Sequence, residues 1–99
     1  MLHIVNKSPL ERSTLDSCLA AAQPGAAVLL IEDGVYAATR GNAAESKLRA
    51  ASARLAIYVL APDLEARGMA QALAEGVKPV DYAGFVELVV QHKNCQSWL

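Results

Sequence analysis

Apolar residues fall along this chain in short runs divided by polar, glycine- and proline-bearing breaks. The first run, residues 2–5 (LHIV), is β-prone, with His3 as its exception. The break after it, NKSPLERST, holds two competing helix starts. Ser8-Pro9-Leu10-Glu11 reads as a capping box with proline at the first helical position, and Ser13-Thr14-Leu15-Asp16 as a second box of the same kind. Leu15, Cys18, Leu19 and Ala22 recur at three and four steps, one helical face, and favour the second start. Gln23-Pro24-Gly25 ends that helix.

Residues 26–31 are apolar without a break and too few for a typical helix, so they read as a strand buried on both faces. Glu32-Asp33-Gly34 closes the run. There Asp33 can cap a following helix and Gly34 permits a tight turn, which gives a short helix over 35–39. Asn42-Ala43-Ala44-Glu45 offers another capping box, for a helix over 43–51. Residues 55–60 (LAIYVL) form a third strand, and Ala61-Pro62-Asp63 opens a short helix that Gly68 closes. Residues 69–75 read as a loop with a helical turn. Residues 77–80 form a fourth strand, whose Pro79 suits a sheet edge. Asp81 caps a last helix from Tyr82 to about His92, with Tyr82, Phe85, Val86 and Val89 on one face. CQSWL at the end can add a fifth strand.

This alternation predicts an α/β fold, a parallel sheet of four to five strands with helices on both faces. One domain over residues 1–99 is expected from the length. Sites in such sheets gather at the carboxyl ends of the strands. Here those ends are Asn6-Lys7-Ser8, Glu32-Asp33-Gly34, Ala61-Pro62-Asp63 and Asp81-Tyr82.

Composition changes this picture in one respect. Hydrophobic residues make up 54% of the chain and charged ones 19%, while a small domain buries only a modest share of its surface. Apolar surface should therefore be left over, and a protein partner is the economical way to cover it. Nine basic and ten acidic residues give a net charge of −1. With no basic block or stripe, direct nucleic-acid binding is not expected. No apolar run approaches a bilayer span, and MLHIVNKSP does not read as a secretory signal, which points to the cytoplasm.

The chemistry on offer is sparse. GxGxxG, GxxxxGK[ST] and GxSxG are absent, and no His/Cys cluster has zinc spacing, so no cofactor or metal is expected. Cys18 and Cys95 form no CxxC pair. Cys18 is the most reactive candidate by type, since a thiolate can carry persulfide sulfur. Its phase with Leu15 and Leu19 places it on an apolar face, where a free cysteine is commonly filler. Cys95 lies beside Lys93 in a terminal segment and carries no assignment. His3 reads as a satisfied core or interface histidine, and His92 as a helix-end residue favoured by the dipole. Asp33 and Asp81 read as caps. Trp98, the single tryptophan, is expected on the sheet edge or on another chain.

Five segments in order, MLHIVNKSP, LLIEDGVYAA, YVLAPDLEARG, VDYAGFVELVVQH and QSWL, resemble the TusB/DsrH family across nearly the whole chain. The resemblance implies a DsrE/F/H-like three-layer α/β/α sandwich. It also implies a subunit of a sulfur-relay complex, a dimer of heterotrimers with TusC/DsrF-like and TusD/DsrE-like subunits. In the Tus branch such a complex passes persulfide sulfur to a TusE-like carrier for 2-thiolation of the tRNA wobble uridine. In the Dsr branch a related DsrEFH hexamer exchanges sulfur with a DsrC-like carrier during sulfur oxidation. The main sulfur-bearing cysteine of these complexes belongs to the TusD/DsrE-like partner, which makes this subunit accessory. DsrH-like members carry a cysteine in a context like LDSCL, so Cys18 matches an auxiliary sulfur site or a dispensable thiol. A reading from another class is a small homo-oligomeric α/β protein with no relay role.

Overall fold

A computed structural model describes residues 1–9 and 13–98. Among the described residues five short segments form the strands β1 (Leu2–Val5), β2 (Ala27–Leu30), β3 (Ala56–Leu60), β4 (Val77–Val80) and β5 (Cys95–Trp98). They pair in the order β4-β3-β2-β1-β5, and every neighbouring pair is parallel. Pro79 lies on an edge strand, as its missing N–H requires, and the CQSW segment is the opposite edge. β2 runs through the middle, and all four of its residues are buried.

Among the described residues four α-helices connect the strands: α1 (Thr14–Ala21), α2 (Glu45–Ala51), α3 (Ala61–Ala66) and α4 (Tyr82–Gln91). α1 begins at the second of the two predicted starts, with Ser13 at its N-cap. The first start runs across residues 10–12, outside the described residues. α2 starts two residues later than predicted. Its box is nonetheless recognisable: the Asn42 side chain accepts from the Ala44 N–H at 2.6 Å, and Glu45 reaches back to the Gly41 N–H at 3.0 Å. Asp81 caps α4 as expected, accepting from the Gly84 N–H at 2.8 Å.

Handedness decides which side each helix covers. From β1 to β4 the chain steps three times in one direction across the sheet, and from β4 to β5 it steps back past β1. Right-handed crossovers then put α1, α2 and α3 on one side and α4 alone on the other. The core divides accordingly. On the first side Val5, Val28, Leu30, Ile57 and Val59 pack against Leu15, Cys18, Leu19, Val35, Leu48 and Leu64. On the second, Leu2, Ala27 and Leu29 pack against Leu88, with Ile4, Tyr58 and Phe85 only partly buried.

Candidate functional site

The Glu32-Asp33-Gly34 turn at the carboxyl end of β2 is built differently from its local reading. The short helix expected over 35–39 is a 3-10 helix over Glu32–Ala38, and Asp33 lies inside it and does not cap it. Its carboxylate instead accepts from Arg67, at 3.1 Å from Nε and 3.0 Å from a terminal guanidinium nitrogen. Glu32 takes the left-handed conformation (φ 49°), and its N–H donates to the Asp63 carboxylate at 2.7 Å. Gly34 has no positive φ. It is needed because a Cβ there would stand 2.3 Å from the Val5 carbonyl oxygen. These contacts join the ends of β1, β2 and β3. Among the described residues, no group of three or more His, Cys, Asp or Glu side chains could hold a metal ion.

Cys18 faces the sheet from α1 and is fully buried in the larger core cluster. Burial pushes its thiol up to about 11, because the apolar surroundings oppose the thiolate. A thiol so placed stays protonated at neutral pH. Cys95 is exposed on β5 and has no disulfide partner.

His3 is buried, and its Nδ1 accepts the indole N–H of Trp98 at 3.1 Å, with ring centroids 6.0 Å apart. Of the two expectations for Trp98, the sheet edge is the one found: the ring packs on the core and ties β5 to β1. Burial, and secondarily the like charge of the terminal ammonium, hold the His3 imidazole below its ordinary pKa. His92 ends α4, its Nδ1 2.7 Å from the Leu88 carbonyl oxygen. Asp81 does no more than cap α4 in this structure.

The feature with most apolar surface is α4 itself. Of its ten residues only Leu88 is buried. Tyr82, Val86 and Val90 are 60%, 62% and 78% exposed, and Val89 is exposed as well. With Phe85 they line a wholly apolar groove of about 260 Å3. The predicted face of Tyr82, Phe85, Val86 and Val89 thus exists, but it is mostly turned away from the sheet. A helix that is apolar on nearly all sides is normally covered on both. Leu88, a residue the sequence pattern did not single out, makes the packing contact.

Comparison with known proteins agrees with this architecture. Residues 7–95 match the family model described as DsrH like protein. Protein TusB of Pectobacterium parmentieri is 40% identical over 98 residues, covering 99% of this chain and 100% of the relative. Protein TusB of Escherichia coli O1:K1 is 36% identical over the same span and shares. The crystal structure of the ychN protein from E. coli superposes with a TM-score of 0.82 at 16% identity, covering 98% of this chain and 97% of that one. A Methanobacterium thermoautotrophicum protein of unknown function superposes at 0.71 with 18% identity, covering 97% and 95%. At those identities the two structures share the fold. With a family match over most of its residues and TusB relatives at 36–40% identity, the chain belongs to the TusB/DsrH family, whose members function in sulfur-relay complexes.

Proposed function

We propose that this chain is an accessory, interaction-making subunit of the sulfur relay for 2-thiolation of the tRNA wobble uridine, and that it acts in the cytoplasm as one domain over residues 1–99. TusB relatives support the tRNA branch over the sulfur-oxidation branch. Its partners are TusC/DsrF-like and TusD/DsrE-like sister subunits, in a heterohexamer that hands sulfur to a TusE/DsrC-like carrier. The sulfur-carrying cysteine belongs to a sister chain. Cys18 serves as a packing thiol, a reading supported by its full burial and its raised pKa.

The observation that carries this reading is the outward face of α4. Fully burying a valine is worth about 1.5–3 kcal/mol, so Val86, Val89 and Val90 leave several kcal/mol unrealised until another chain covers them. The experiment is co-expression with candidate sister subunits, followed by the mass of the intact particle. A particle containing this chain, lost on Val86→Glu with Val90→Glu, supports the reading. An isolated monomer that ignores its sisters contradicts it. Undiminished sulfur transfer in a reconstituted complex carrying Cys18→Ser supports the packing role of that thiol.

A further inference from the structure

At the amino ends of β1 and β2, on the side of the sheet opposite α4, lies a cleft of about 490 Å3. His3, Gln96 and Trp98 line it from the sheet, and Ala21 and residues 23–26 from the end of α1 and the loop beyond. The opening lies between the carboxyl end of α1 with the loop beyond it and the edge strand β5.

His3 is 4% exposed, and its Nδ1 is occupied by the Trp98 indole N–H. A neutral imidazole that accepts at Nδ1 carries its proton on Nε2. That Nε2–H has no hydrogen-bond partner among the described residues. Nor is it sealed from solvent, since the buried polar side-chain atoms left unpaired there comprise Asn6 Oδ1 alone. It is thus a fixed donor on a buried ring that lines an open cleft. Gln23 and Gln96 add amides, the half-buried Trp98 indole supplies a flat apolar wall, and no carboxylate is among the lining residues. The volume is in the range of small-molecule sites.

We propose that this cleft binds a small planar ring compound bearing an acceptor oxygen, which takes the His3 Nε2–H while the ring lies along the Trp98 indole. A carboxylate and a ring carbonyl offer the same acceptor chemistry. A ligand with donors only would meet the imidazole N–H with nothing to accept it. The cleft and the α4 groove lie on opposite sides of the sheet, so binding here does not depend on the assembly reading.

The test is titration of the isolated chain, followed by nitrogen–proton NMR. The single tryptophan gives one indole signal, and the His3 ring nitrogens report the acceptor contact. Benzoate and uracil supply the two kinds of oxygen, and benzylamine supplies none. Expected are saturable shifts of the Trp98 indole and His3 Nε2 with benzoate, uracil or both, and none with benzylamine. Affinity should fall at least tenfold in His3→Phe and recover in part in His3→Gln, which keeps an N–H donor. No saturation by either oxygen-bearing probe at millimolar concentration would overturn the proposal. So would equal binding of benzylamine, or an unmoved Nε2 signal in the saturated native chain. If His3→Phe does not fold, the native ring signal and His3→Gln decide.

Discussion

The two sides of the sheet are built to different standards. One lies beneath α1, the 3-10 helix, α2 and α3 and opens only at the cleft beside His3, and its strand residues Val5, Val28, Leu30 and Val59 are wholly excluded from solvent. The other carries α4 alone, which buries Leu88 and leaves Ile4, Tyr58 and Phe85 partly open. Both sides are apolar in sequence, so hydrophobicity does not set them apart. Topology does: three crossovers run one way and one runs back. Apolar residues beneath α1, α2 and α3 stabilise the chain itself, whereas those on the outer face of α4 are positioned to stabilise an assembly.

Substitutions on the two sides should therefore separate. The largest loss is expected for Gly34→Ala, whose Cβ would meet the Val5 carbonyl oxygen at 2.3 Å. Backbone must shift to admit it, costing about 3 kcal/mol or more in chemical denaturation, at the upper end for overpacked sites. Cys18→Ser puts a hydroxyl where the thiol is fully buried and should cost about 1–3 kcal/mol. The native thiol should also leave an alkaline signature. Because it holds its proton up to about 11, its contribution is complete below the ordinary thiol value, near 8.5. It is lost as pH rises toward 11, a fall that Cys18→Ala removes.

His3 gives a smaller effect of opposite direction. Its folded pKa is depressed, so as pH falls through about 6.5 the unfolded chain takes up a proton that the folded chain resists. Stability complete above that pH should decline below it, and the Trp98 indole signal should move as Nδ1 loses its acceptor role. Less again is expected of Asp33→Ala, which removes an ion pair whose carboxylate is 57% exposed. Its cost should lie within about 1 kcal/mol. The smallest effect on the isolated chain belongs to Val86→Glu. That side chain points into solvent, so the denaturation midpoint should barely move, with a change within about 0.5 kcal/mol. Incorporation into the relay particle should nevertheless be lost. A large loss of monomer stability from Val86→Glu would mean that the two sides do not differ as described.

Much of this fold is legible in the chain because its signals are local. The apolar runs become strands, Pro79 marks an edge, Asp81 caps α4, and the phase of Cys18 with Leu15 and Leu19 foretells its burial. What is missed depends on distant contacts. The role of Gly34 depends on the approach of Val5, twenty-nine positions away in sequence, and no turn chemistry announces it. Asp33 looks like a cap until Arg67 is brought beside it. The conformation of Glu32 goes with the Asp63 carboxylate at its N–H. Spacing along α4 identifies residues that share a face but not which face meets the sheet, and a helix apolar nearly all round withholds that information. The His3–Trp98 pair joins the two ends of the described chain and has no local signature.

The claim on which this account turns is that the outer face of α4 is covered in the working assembly. Amide hydrogen exchange over residues 82–91, in the isolated chain and in the particle co-expressed with the proposed sister subunits, tests it most directly. Exchange slowed at least tenfold in the particle is the predicted result. Equal rates in the two states, with the particle intact, would contradict it.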